Sequence, residues 1–88
     1  MIRIGNLFYD KKYPHHIYRI TNLLNYKELN GERQIMVEGW YFNEPPANYF
    51  IIKLVMENVQ WSRSSAYTER EFISKFEEWK CQKNNIYS

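Results

Sequence analysis

Over the first two thirds of the chain, apolar and polar residues alternate with a period of about two, the pattern of half-buried strands. Ile2 and Ile4 flank Arg3, and Leu7-Phe8-Tyr9 resumes the run after Gly5-Asn6, which predicts a strand over about 2–9 bent at the glycine. Residues 10–16 read as a loop in which Pro14 holds Tyr13 extended. A second strand is expected over 17–26, with Tyr18, Ile20 and Leu24 on one face, Ile17, Arg19, Thr21 and Leu23 on the other, and Asn22 interrupting the pattern. Asn30-Gly31 then signals a tight hairpin, because both residues tolerate positive φ, so the flanking strands should be antiparallel neighbours. The third strand, over 34–42, sets Ile35 and Val37 against Met36, Glu38, Trp40 and Phe42, with Gly39 marking a bulge or a close packing contact. After the loop 43–48, stiffened by Pro45 and Pro46, the most apolar stretch predicts a fourth strand over 49–57 whose core face is Phe50, Ile52, Leu54 and Met56. A short fifth strand is expected over 59–62.

From Thr68 the period changes. Thr68 caps a helix, Glu71 three residues on completes a capping box, and Tyr67 and Phe72 have the spacing of a hydrophobic staple. Phe72, Ile73, Phe76 and Trp79 form an apolar stripe, and Asn84-Asn85 supply a stop, so a helix is predicted over about 69–83. The expected fold class is α+β, mostly β. It comprises a four- to five-stranded antiparallel meander, a small barrel-like sheet, with one C-terminal helix packed on it, and residues 1–88 form a single domain.

Composition refines this picture. A chain 44% hydrophobic and 18% aromatic is too apolar for disorder, and its aromatics compensate for a small core. The net charge of +2 is mild, although residues 1–33 carry six bases against three acids. The single cysteine, Cys81, allows no internal disulfide. No signal-peptide pattern follows Met1, and the run Tyr49 to Met56 is interrupted by Lys53 and too short to span a bilayer, so a cytoplasmic protein without a membrane partner is expected.

The chemistry-bearing residues do not assemble into a catalytic set. His15 and His16 are adjacent and should point to opposite faces, so no metal site is expected there. Cys81 lies at the wrong end of the predicted helix for an activated thiolate. Glu71 is taken by the cap, Glu77 and Glu78 read as a solvated face, and the chain has no phosphate loop or nucleophile elbow. The expectation is a protein that is not an enzyme and uses no cofactor.

The aromatics exceed what so small a core can hold, and Trp, Tyr and Arg are the residues that anchor interfaces. The first functional expectation is therefore a protein-binding surface built from Trp40, Tyr41 and Tyr49, with Trp61 and Arg63 as a second centre. Tyr41 and Tyr49 should lie together on the outer face, rimmed by Glu38, Glu44 and Lys53. The alternative is a nucleic-acid binder in which Lys11, Lys12, Arg19, Lys27 and Arg33 line one side of the sheet and Tyr9, Tyr13 and Tyr26 stack on bases.

Gly5, the run Tyr18-Arg19-Ile20, Asn30-Gly31 and Trp61 leading into Glu71-Phe72-Ile73-Ser74-Lys75-Phe76 give the chain a resemblance to small Src-homology-3-like or Tudor-like β-barrels. It is similar in this to short accessory proteins of phages and other mobile elements. Nine Ile, nine Asn, eight Tyr and seven Lys, all encoded by AT-rich codons, are consistent with an AT-rich source. The resemblance implies binding of peptides, proteins or nucleic acids, and for a phage-encoded protein it implies a modulator or inhibitor of a host or defence protein acting in the host cytoplasm.

Overall fold

The computed structural model describes residues 2–25, 32–58 and 62–80. Its elements are β1 (Leu7–Asp10), β2 (His16–Asn25), β3 (Arg33–Tyr41), α1 (Tyr49–Asn58), β4 (Arg63–Thr68), α2 (Glu69–Lys75) and β5 (Phe76–Glu78). The strands form one antiparallel sheet in the order β4-β3-β2-β1-β5.

The long central pair, β2 and β3, follows from the alternation. Ile17 pairs with Trp40, Tyr18 with Gly39, Arg19 with Glu38 and Ile20 with Val37. The register shifts between Ile20 and Asn22, where Thr21 is the additional residue and its hydroxyl donates to the Met36 carbonyl at 3.2 Å. Past this bulge the inward positions move by one, so Leu23, and not Leu24 as the simple alternation predicts, packs against the core. Asn30-Gly31, Tyr26 and Lys27 lie outside the described residues.

The strand expected over 2–9 begins only at Leu7, because Gly5 adopts φ +94° and breaks the extended path. The Gly5 amide still donates to the Ile20 carbonyl at 2.8 Å, which anchors this segment to β2 while Ile4 stays exposed. β4 runs over Arg63–Thr68, whereas of the expected strand 59–62 only Ser62 is described and it precedes β4. An edge strand largely open to solvent needs no apolar alternation, and β4 is held by backbone pairing with β3 from Gln34↔Thr68 to Gly39↔Arg63.

The capping box of α2 forms as predicted. Thr68 Oγ1 accepts from the Glu71 amide at 3.2 Å and Glu71 Oε1 accepts from the Thr68 amide at 3.0 Å. The helix, however, stops at Lys75 and not near 83. Phe76 turns extended, and Phe76-Glu77-Glu78 adds to the free edge of β1 with Asp10↔Phe76 and Phe8↔Glu78 paired. Backbone pairing along β1 replaces the next helical turn, and the Lys11 amide takes the Lys75 carbonyl at 3.0 Å. Period-two placement also keeps Phe76 and Trp79 buried on opposite faces, whereas Ile73, expected in the helix stripe, is exposed.

The largest correction concerns residues 49–57, which form helix α1 and not a fourth strand. A mostly apolar run, broken only by Lys53, fits either period, and the local cap decides between them. Asn48 Oδ1 accepts from the Ile51 amide at 3.0 Å, and Asn58 Nδ2 returns to the Leu54 carbonyl at 2.6 Å.

Each face of the sheet has its own core. Phe8, Tyr18, Ile20, Ile35 and Val37 pack with Phe72 and Phe76 under α2. Leu7, Ile17 and Trp79 pack with Ile52 of α1, with Tyr9, Phe42 and Met56 at the margin. The expected barrel closure does not occur: the sheet is open, with β4 and β5 as its edges and α2 linking them. Among the described residues no helix is long and apolar enough to cross a membrane.

Candidate functional site

At one end of the sheet three aromatic rings form a row. His16 opens β2 opposite Tyr41 on β3, and their rings stack at 4.1 Å between centroids and 27° between planes. Tyr13 reaches the row from the β1–β2 turn and stacks on His16 at 5.3 Å and 30°. The turn is set by Asp10, whose Oδ1 accepts from the Lys12 amide at 2.8 Å and the Tyr13 amide at 3.3 Å, while the His16 amide donates to the Tyr13 carbonyl at 2.9 Å. His15 meets His16 edge-on at 4.4 Å; it precedes β2, so the strand rule that would send the two rings to opposite faces does not apply.

Cations stand at both ends of the row. Lys12 Nζ lies 5.6 Å from the Tyr13 centroid, and Arg63 Nη1 donates to the Tyr41 hydroxyl at 3.3 Å. Tyr13 is 44% exposed and Tyr41 46%. Burial, and then the neighbouring His15, hold the His16 imidazole below its ordinary value against a smaller upward pull from Asp10, which favours a neutral ring. Below the row, burial pushes the Tyr18 hydroxyl well above its ordinary value, with Tyr41 and Tyr67 adding to the effect.

A second surface is the outward side of α1. Ile52 alone is buried, while Tyr49, Phe50, Ile51 and Leu54 are exposed, Phe50 to 67%. Lys53 and Glu57, one turn apart, flank Phe50 and Leu54.

These surfaces redistribute the residues expected to bind a protein. Trp40 is buried beneath Arg19, whose guanidinium carbon lies 5.1 Å from its ring centroid, and is therefore a core residue; its Nε1 has no partner among the described residues. Tyr41 and Arg63 meet in the ring row. Tyr49 borders a hollow with Gly5, Asn6, Leu7, Glu78 and Trp79, whereas Tyr41 stacks on His16 in the ring row. Glu38, expected at the rim of a Tyr41–Tyr49 patch, binds Arg19 at 3.5 Å and accepts from Ser62 Oγ at 2.9 Å. Trp61 lies outside the described residues.

The basic set is likewise divided. Arg19 is engaged by Glu38 and the Met56 sulfur, and Arg33 binds Glu69 through two contacts of 2.9 and 3.2 Å. Tyr9 donates its hydroxyl to Glu77 at 2.9 Å, and Lys11 Nζ donates to the Ile73 carbonyl at 3.2 Å. Lys12 and Tyr13 remain together at the ring row. The sequence places His16 at the end of a loop and gives it no metal site; the tight turn that Asp10 builds is the local signal for its place in the row. Phe50 and Leu54 were missed because a strand would have buried them. Comparison with protein-family models, with curated proteins and with solved structures finds no match.

Proposed function

We propose that the chain is a non-enzymatic protein-binding module whose contact surface centres on the outward side of α1. The carrying observation is the exposure of Phe50 beside Tyr49, Ile51 and Leu54. A surface helix ordinarily turns its apolar side to the core; here Ile52 is buried and Met56 packs at the core margin, while Phe50, Ile51 and Leu54 stay exposed. Exposed contiguous apolar surface with an aromatic anchor is the signature of a docking site. The partner is a protein presenting an apolar groove, with Lys53 and Glu57 setting orientation from the rim. Such a module modulates its partner by occupying that groove. Of the residues expected from the sequence, Tyr49 belongs to this surface.

Crosslinking followed by capture from cell extract tests the reading with Phe50→Asp and Leu54→Asp. Both side chains are exposed, so the melting temperature should hold while partner recovery is lost. Equal recovery of the same proteins by wild type and by both variants would overturn the proposal, and self-association in sedimentation velocity that both variants abolish would identify the groove as that of a second copy.

A further inference from the structure

We infer that the row Tyr13–His16–Tyr41, with Lys12 and Arg63 at its ends, is a binding site for single-stranded nucleic acid. A cross-strand pair of the ordinary kind accounts for Tyr41 on His16, which face one another in the β2–β3 register. It does not account for Tyr13, which the hydrogen bonds of the turn carry onto the other side of His16 and leave half exposed. Nor does it account for a cation at each end of the row.

Stacked rings beside basic side chains are what a single strand requires, because its bases offer free faces and its phosphates need counter-charge. Duplex bases are already stacked and cannot take up the half-exposed rings of Tyr13 and Tyr41. The local electrostatics favour an anion. The one carboxylate in the turn, Asp10, faces the amides of Lys12 and Tyr13. Arg19 and Arg33 are already neutralised by Glu38 and Glu69, and Lys11 Nζ is turned to the Ile73 carbonyl, so the phosphate contacts fall to Lys12 and Arg63. This inference does not rest on α1, whose outward side carries none of these residues.

The test is fluorescence anisotropy of the full chain with a labelled single-stranded DNA oligonucleotide, a duplex of the same sequence, and polyphosphate as competitor, at about 50 and 200 mM salt, where phosphate contacts differ clearly in strength. The single strand should bind more tightly than the duplex and resist polyphosphate of equal charge. Tyr13→Leu and Tyr41→Leu should each weaken binding about tenfold through lost stacking. Arg63→Gln should lower the slope of log affinity against log salt by about 0.7, one phosphate contact on a single strand. If Tyr41→Leu does not fold, Tyr13→Leu decides, since Tyr13 lies in an exposed turn. No binding at the lower salt would overturn the inference. So would equal affinity for duplex, full displacement by polyphosphate, or folded Tyr variants that bind like wild type.

Discussion

Gly39 on β3 faces Tyr18 on β2, and the tyrosine ring occupies the space a side chain would need: a Cβ on Gly39 would lie 2.5 Å from Tyr18 Cε2 and 2.7 Å from Cδ2. Tyr18 is itself buried against Phe76, at 4.8 Å between ring centroids. Gly39→Ala should therefore push the ring out of the core and destabilise the fold by about 1–3 kcal/mol, the usual cost of overpacking. A thermal melt measures this, and an unchanged midpoint would mean that the ring moves aside freely.

Phe76 joins the Tyr18, Tyr67 and Phe72 rings, with centroid separations of 4.8, 5.1 and 4.8 Å. It also starts β5, so its truncation removes the side chain that seats the edge strand. Phe76→Ala should cost about 3–5 kcal/mol, enough to unfold a marginally stable domain. Circular dichroism at ambient temperature reads the outcome, with native-like signal and melting contradicting the packing described.

The Thr68–Glu71 capping box supplies both hydrogen bonds that start α2. Thr68→Ala should destabilise by about 1 kcal/mol, and Thr68→Ser should restore most of the loss, since a serine hydroxyl caps as well. Denaturant titration of both variants checks the pair of values, and equal destabilisation by Ala and Ser would assign the effect to the lost methyl group.

Acid should weaken the fold through His16. Its folded pKa is depressed by burial and by His15, with Asp10 opposing, so the unfolded chain binds more protons between the folded value and the ordinary one of 6.5. The stabilising contribution is complete above that ordinary value and is lost as pH falls below it. Glu69, held low by its hydrogen bond to Arg33, contributes in the same direction at lower pH, where its stabilisation is lost below the ordinary carboxylate value of 4.5. Melting curves between about pH 7.5 and 5.5 should fall for wild type and flatten for His16→Phe, which keeps a ring in the stack without a titrating nitrogen.

The residues legible in advance are those whose structure is decided by near neighbours. The face assignments of Ile35, Val37, Met36, Glu38 and Trp40 follow from strict alternation, and the α2 start follows from Thr68 and Glu71, three positions apart. The close contact at Gly39 was likewise readable as a missing side chain in a packed strand. Positions that depend on distant pairing were not legible. β4 carries little apolar pattern because β3 supplies its hydrogen bonds, and β5 interrupts a good helical stripe because β1 offers a free edge. The candidate surfaces divide in the same way: the aromatic surplus was visible in composition, but its placement was not. Whether Trp40 faced solvent or core depended on the packing around it, with Arg19 lying over its ring.

By itself, then, the sequence determined a mostly β chain with antiparallel β2 and β3 and a capped helix after Thr68, because alternation and capping are local and cost little chain entropy to satisfy. Tertiary structure decided that Tyr49–Asn58 is a helix with Phe50 outward, since an apolar run broken only by Lys53 fits either period and the packing of Ile52 and Met56, together with the Asn48 cap, selects the helix. It alone also brought Tyr13, His16, Tyr41 and Arg63 into one row, because their contacts run between a turn and three strands and exist only once the sheet has formed.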